Sequence, residues 1–194
     1  IIEAVKVALV KDAAFFRWIE DQCEKLAKLH PHTLEETVER SALLHAAHIA
    51  YGGDPFETGN SRPLDFGHWA AHKLEQLTDF ELSHAEAVSI GVALDTLYSW
   101  KSGRLDEESA MRILKVINKL QLPTWHASLE QKCAKGTREV FNGLEEFREH
   151  LGGELTVLLL RDIGKGEDVH SMDDILLDEC IDWLATQATL PVKS

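Results

Sequence analysis

Residues 65–72 read DFGHWAAH, and residues 82–91 read LSHAEAVSIG. The first string opens a helix predicted over Gly67 to Leu77. The second opens another, from Ser83 or His84 to about Trp100, in which Ala87, Val88, Ile90, Val92, Ala93, Leu94 and Leu97 leave little polar surface. A helix apolar nearly all round is a buried one, so this helix is expected at the centre of the fold. His68 and His72 are four residues apart, so they point the same way, about 6 Å apart along the axis. His84 follows twelve residues after His72, and a tight helix–loop–helix turn brings it back beside His68. Three nitrogen or oxygen ligands with one open position is the arrangement of catalytic zinc. A carboxylate from elsewhere would complete such a set. The same spacing also fits histidines on a helix surface or satisfied in a core, and for a pair without an intervening Glu that plainer reading is the commoner one.

Outward from this pair, most of the chain has helical period. Residues 11–28 place Ala14, Phe15, Trp18, Ile19, Leu26 and Ala27 on one stripe. Thr33 is expected to cap a second helix, with Glu36 completing a capping box, and Gly52-Gly53 to stop it after about Tyr51. Residues 52–65, GGDPFETGNSRPLD, read as a loop. Further helices are expected over Leu105 to Leu120, over about Leu129 to Leu144, and from Asp173 or Asp174 to about Thr186. Glu146 to Leu151, the link Gly152-Gly153 and Glu154 to Leu160 read as a β-hairpin, which places Arg148 and His150 on one face of a strand. The expected fold is mainly α, one helical domain over residues 1–194 with one small β-hairpin.

Composition limits the partners. The chain has 194 residues, 44% of them hydrophobic, and a net charge of −13. Phosphate contacts need clustered Lys and Arg, so no nucleic-acid partner is expected. A small phosphorylated ligand is still compatible, because a local pocket can be basic in an acidic protein. No run of about 18 apolar residues occurs, so no membrane span is expected. Cys23, Cys133 and Cys180 are odd in number and far apart, which points to a reducing cytoplasm rather than a disulfide framework. The N-terminal IIEAVK string reads as a helix entered in mid-course, as in a fragment of a longer protein.

Other residues are individually weak signals. Arg62 offers a rigid fork for phosphate or carboxylate, and Gly67 allows close backbone approach. The loop before His68 also reads as an ordinary turn with Asp65 as N-cap. Glu3 and Lys6, three apart, read first as a surface ion pair. Glu86 reads as a first-turn carboxylate favoured by the helix dipole. His45 and His48 share a helix face that meets either a site or solvent. His30, His32, His126 and His170 read as ordinary histidines.

Taken together, these strings resemble the 3-dehydroquinate synthases and their relatives, the sugar-phosphate cyclase superfamily. That family's paired signature runs roughly NFGHTxGHAxE, then LxHGEAVxxG. Upstream, Glu3-Ala4-Val5-Lys6 is similar to its AEVIK segment, and Thr156 to Gly164 is similar to its late strand ending in IG. Four blocks in order cover essentially the whole chain. The resemblance implies a helical C-terminal domain of dehydroquinate synthase type, with Zn2+ (or Co2+) held by Glu3, His68 and His84. His72 would then be a substrate-side residue. Lys6, Arg62 and His72 match positions that contact the substrate's phosphate, carboxylate or hydroxyls, Arg62 across a one-residue gap. The implied activity is a carbon–oxygen lyase that oxidises a sugar hydroxyl with NAD+, expels phosphate, reduces the ketone again and closes a carbocycle. NAD+ would sit mainly on an N-terminal domain absent from this chain, which alone would be inactive. A homodimer is implied by the same analogy.

Several positions depart from dehydroquinate synthase itself. Asp65 stands where that enzyme has Asn, and Arg148-Glu149-His150 where it has a Lys. Both changes resemble the branch that cyclises sedoheptulose 7-phosphate, whose RPxDFGH string matches residues 62–68. A carboxylate such as Asp65 suits a neutral polyol, whose hydroxyls it can accept from. His72 is the dehydroquinate-like feature, since the sedoheptulose branch carries Ser-Pro at Ala71-His72. The combination resembles a less characterised branch between the two. Ala85 replaces a motif Gly beside His84, where its methyl either crowds the site or is absorbed by a helical backbone. A family lysine near Ala47 or His48 is missing, and His48 is expected to take its place. The sugar substrate is expected to be sedoheptulose 7-phosphate or a relative, with dehydroquinate synthase proper as the alternative. A metal-dependent phosphohydrolase is a rival of another class, but its adjacent His-Asp pair does not occur here. A metal-free helical interaction module is the third.

Overall fold

The computed structural model describes residues 1–51, 64–150 and 153–189. The expected stop at Gly52-Gly53, together with Arg62, Pro63, Leu151 and Gly152, lies outside the described residues. Among the described residues are eight α-helices: α1 (Ile2–Lys11), α2 (Ala13–Ala27), α3 (Pro31–Tyr51), α4 (His68–Leu77), α5 (His84–Lys101), α6 (Glu107–Lys119), α7 (Asn142–His150) and α8 (Asp174–Thr189). One antiparallel pair, β1 (Val157–Asp162) and β2 (Lys165–Val169), completes the mainly α fold. No described helix is long and apolar enough to cross a membrane.

The apolar run of α5 does what its sequence requires. Every residue from Ala87 to Ser99 is buried, and α1, α4, α6, α8 and β1 surround it. Ser83 starts it with a complete capping box, its hydroxyl facing the Glu86 N–H while the Glu86 carboxylate accepts from the Ser83 N–H. Caps of this kind contribute about 1 kcal/mol. Helix α1 is nearly as deeply set, with only Glu3 and Lys11 of its residues not buried. The chain leaves it at Asp12, whose carboxylate accepts from Ala14 N at 2.8 Å and Phe15 N at 3.0 Å to cap α2.

The α4–α5 contact is backbone against backbone. Gly67, at φ 80°, precedes α4. A Cβ on Gly91 would collide with the Gly67 carbonyl oxygen, and a Cβ on Gly67 would lie 2.5 Å from Val92 N. The wholly buried Asp95 carboxylate of α5 holds the other helix from beneath, accepting from the Gly67 N–H and from Trp69 Nε1, both at 2.9 Å. Helix α7 closes over α4, with Lys73 paired to Glu146 at 2.6 Å.

Four expectations change. Glu146 to His150 is not a strand: it continues the helical stripe of Leu144 and Phe147 against the core, so Arg148 and His150 leave the common face that alternation gave them. The partner of β1 lies downstream instead, with Val157 opposite Val169 and Leu160 opposite Gly166. The turn is at Ile163-Gly164, where the Gly164 N–H donates to Leu9 O at 2.7 Å, and β1 is pinned to α5 by Leu160 N–H donating to Ser99 Oγ at 3.0 Å. Residues 129–141 are not one helix but two 3-10 turns about a Lys132–Arg138 bridge. The nearly buried Arg138 guanidinium organises them by reaching Leu129 O, Asp178 and Asp182. Helix α3 starts at Pro31, a residue pre-set for the first helical position, rather than at Thr33. Thr33 is buried against His30, and Glu36 pairs with Arg40 instead of closing a capping box.

Because Gly91 meets a carbonyl oxygen that cannot swing aside, Gly91→Ala should cost about 3 kcal/mol or more, lowering the melting temperature by roughly 6–12 °C. Gly103→Ala, at φ 75° with nothing within 4 Å, should cost only about 1–2 kcal/mol. Equal shifts in thermal melts followed by circular dichroism would show that the close approach is not what requires Gly91.

Candidate metal centre

Three helix beginnings meet at one place. The first turn of α1 supplies Glu3 and its second turn begins with Lys6, α4 starts on His68, and α5 starts on His84. His68, His72 and Glu75 follow one another on α4 at spacings of four and three, so they form one stripe. Glu3 Oε1 lies 3.9 Å from His68 Nε2 and 3.8 Å from His84 Nε2. Glu3, His68 and His84 each offer one donor atom within 4.8 Å of the others. These separations are too long for hydrogen bonds and slightly wider than the ~3.4 Å between ligands of a tetrahedral ion with ~2.1 Å bonds. Two imidazole nitrogens and a carboxylate oxygen are the donor chemistry of a catalytic zinc site with an open position. A second grouping shares His84, namely His72, Glu75 and His84.

The charges support that arrangement. The Lys6 ammonium, 4% exposed, holds Glu3 Oε2 at 2.6 Å and leaves Oε1 turned to the histidines. Burial raises the Glu3 pKa, but the charge and hydrogen bond of Lys6, with His68 and His84, outweigh it and keep the carboxyl below its ordinary value. His68 is pushed down to about 4, first by burial and then by the Lys6 charge. It is therefore neutral near pH 7, the form that binds metal. Its Nδ1 lies 3.3 Å from Phe66 O, which favours the tautomer with Nε2 unprotonated.

The other expected residues are placed unequally. His72 is exposed on the same stripe, its ring centroid 5.5 Å from that of His68 and 6.1 Å from that of His84. Lys6 is committed to Glu3. Asp65 is half-buried in the turn before α4, where its carbonyl accepts from the His68 N–H at 2.9 Å. His48 is in the last turn of α3. Arg148 pairs with Glu145 on α7 at 2.7 Å, and the side chain of His150 lies outside the described residues, as does Arg62. Ala85 is exposed in the first turn of α5, where the backbone is helical. A cavity of about 550 Å³ opens beside Glu3 and Lys6, with Thr37, Ser41 and His45 of α3 on its far wall. The residue that sequence spacing missed is Glu75, whose Oε2 lies 3.2 Å from His84 Nδ1. The quoted family signature ends in Glu at this position, and its place seven residues after His68, in the same helical stripe, was a second available signal.

Residues 1–140 match the family model described as 3-dehydroquinate synthase C-terminal. A 3-dehydroquinate synthase of Shewanella frigidimarina is 27% identical over 92% of this chain and 48% of its own length. One from Halorhodospira halophila is 29% identical over 84% of this chain and 44% of its own. The chain thus spans about half the length of the curated relatives it matches. Among solved structures, a 2-epi-5-epi-valiolone synthase from Streptomyces hygroscopicus subsp. jinggangensis, with NAD+ and Zn2+ bound, superposes with a TM-score of 0.85 at 27% identity. The match covers 96% of this chain and 50% of that one.

Histidine titration by NMR should give a midpoint near 4 for His68, and Lys6→Met should move it up, because an opposing positive charge is gone. An unfolded histidine titrates near 6.5, so the folded-state depression is a stability term present above that pH. It is lost as pH falls through about 4. A His68 midpoint at the ordinary value, unmoved in Lys6→Met, would refute this electrostatic picture.

Proposed function

This chain belongs to the 3-dehydroquinate synthase C-terminal family, and from that premise we propose that it forms the metal- and substrate-binding half of an NAD+- and zinc-dependent sugar-phosphate cyclase. The proposed reaction class is carbon–oxygen lyase: phosphate leaves a sugar phosphate and a carbocycle closes. The observation that carries the reading is the convergence of Glu3, His68 and His84 from three separate helices. The resemblance of the whole chain to a cyclase solved with both cofactors supports it.

In this reading Glu3 Oε1, His68 Nε2 and His84 Nε2 hold the zinc. When bound, zinc polarises the oxygens being oxidised and reduced, and NAD+, carried mainly by a partner nucleotide-binding domain, takes and returns the hydride. The chain's own residues do the rest. Lys6 fixes the Glu3 carboxylate so that one oxygen faces the ligand set. His68 stays neutral through burial. His72, exposed one turn beyond His68, presents a ring nitrogen that can accept a proton from a substrate hydroxyl or return it. Arg62 supplies a cationic fork for the phosphate, Asp65 accepts hydroxyl hydrogen bonds, and Arg148, His150 and His48 contribute further polar contacts. The substrate proposed is sedoheptulose 7-phosphate or a closely related polyol phosphate, because Asp65 suits a neutral polyol rather than a carboxylated one. The alternative is the dehydroquinate precursor, favoured by His72. A homodimer and a cytoplasmic setting are part of the same proposal. The three free cysteines fit a reducing compartment.

Purified chain should take up close to one zinc per molecule by elemental analysis, and His84→Ala and Glu3→Gln should each lose it with little change in fold. An apoprotein that takes up no zinc would favour a metal-free interaction module instead. Reconstituted with its nucleotide-binding half, NAD+ and zinc, the protein should release phosphate from sedoheptulose 7-phosphate. Release only from the carboxylated precursor would reverse the substrate assignment.

A further inference from the structure

Resting on the metal reading and extending it, we infer that Glu75 is a positioning residue of the centre: its carboxylate accepts a hydrogen bond from His84 Nδ1 and so turns Nε2 toward Glu3. The contact is 3.2 Å between His84 Nδ1 and Glu75 Oε2. The opposite ring nitrogen of His84 is the one 3.8 Å from Glu3 Oε1.

Two observations support the role independently. First, Glu75 does not behave as a solvated surface acid. Its side chain is 16% exposed, against 48% for Glu3 and 50% for His84, and a carboxylate drawn that far from water needs a donor. The imidazole N–H of His84 supplies one. Second, the other histidine is anchored in the same sense. His68 has Nδ1 against the Phe66 carbonyl and Nε2 toward Glu3. Both rings are therefore gripped by an oxygen at Nδ1 and aimed by it at Nε2. For His68 the anchor is backbone and comes with the fold. For His84, half-exposed at the first position of α5, a side chain has to do it, and Glu75 comes to that place because it shares the stripe of His68 and His72. A carboxylate behind a metal-bound imidazole fixes its tautomer and raises its basicity, and losing such a partner typically weakens metal binding about 10- to 100-fold.

Glu75 also belongs to the grouping with His72 and His84, where it would bind an ion of its own. A single His84 cannot present a protonated Nδ1 to Glu75 and a bare Nδ1 to a second cation, so stoichiometry separates the two roles.

The test uses the zinc-free and zinc-loaded chain with Glu75→Leu and Glu75→Gln, the second keeping an acceptor oxygen and guarding against a folding defect in the first. In zinc-free protein, 15N chemical shifts of the His84 ring should report the Nδ1–H tautomer in the parent and in Glu75→Gln, and its loss in Glu75→Leu. Competition with a chromophoric chelator should show zinc affinity falling about 10- to 100-fold in Glu75→Leu and less in Glu75→Gln, at one zinc per chain throughout. An unchanged tautomer and affinity in Glu75→Leu would overturn the inference. So would two zinc ions per parent chain falling to one in both variants. A parent that binds no zinc would refute the metal reading and the role together, and that outcome is distinct because it appears before any variant is made.

Discussion

The contact on which everything else depends is the meeting of two backbones at Gly67 and Gly91. It sets the distance between α4 and α5, and each of these helices begins with a histidine of the site. A helix begun on a candidate ligand moves that side chain with it, so the separation of His68 from His84 is in effect the separation of the two helix ends. Asp95 secures the contact from the side of α5. Burial pushes its carboxyl up to about 7, against the pull of the Trp69 indole N–H and the Gly67 N–H. A raised carboxyl pKa means that its stabilising contribution is complete below the unfolded value near 3.9 and fades as pH rises through about 7. The position of this carboxyl fixes both ends of the turn that delivers His68.

Against that rigid pair, Glu3 is the candidate ligand that Lys6 holds in place. It comes from a helix otherwise buried in apolar packing, and it is the one acidic side chain there. Lys6 makes the placement tolerable: a carboxylate beside a low-dielectric core needs a compensating charge, and Lys6 provides it from one turn away without occupying the oxygen that faces the histidines. The same ammonium pushes protons off His68. Burial first and this ammonium second depress His68, and the same lysine lowers Glu3 against burial, the directions that metal binding would require.

The sequence made the helical character plain, because α5 is apolar all round and α4 carries a clear stripe. It also exposed His68 and His84, since a tight helix–loop–helix turn offers a way to bring the start of α5 back beside the start of α4. Spacing alone could not find Glu3, which lies 65 residues before His68 in the chain; only the resemblance of its segment picked it out. The hairpin was misread for a physical reason. Glu146 to Leu151 is too short for alternation and helical period to be told apart, and Gly152-Gly153 offered a plausible turn. The choice is made by tertiary contacts no local pattern contains: the Ser99 hydroxyl waiting for Leu160, and the Leu9 carbonyl waiting for Gly164. Residues 129–141 escaped for a similar reason, because the organising partner of Arg138 is α8, some forty residues away.

Two small residues of α5 show how a motif misleads and a structure corrects. By pattern, Ala85 is the worrying change, since it replaces a glycine beside a metal-facing histidine, and Gly91 is merely the end of a string. Packing reverses the ranking. Ala85 is in regular helix with its methyl in solvent, and alanine is about 1 kcal/mol better than glycine in that setting, so the change can firm the helix end that carries His84. Gly91 has no such freedom, because the space where its Cβ would be is filled by the carbonyl of Gly67. A glycine needed for conformation can be dispensed with once the backbone is helical, whereas one needed for proximity cannot, since the atom it makes room for belongs to the neighbouring helix.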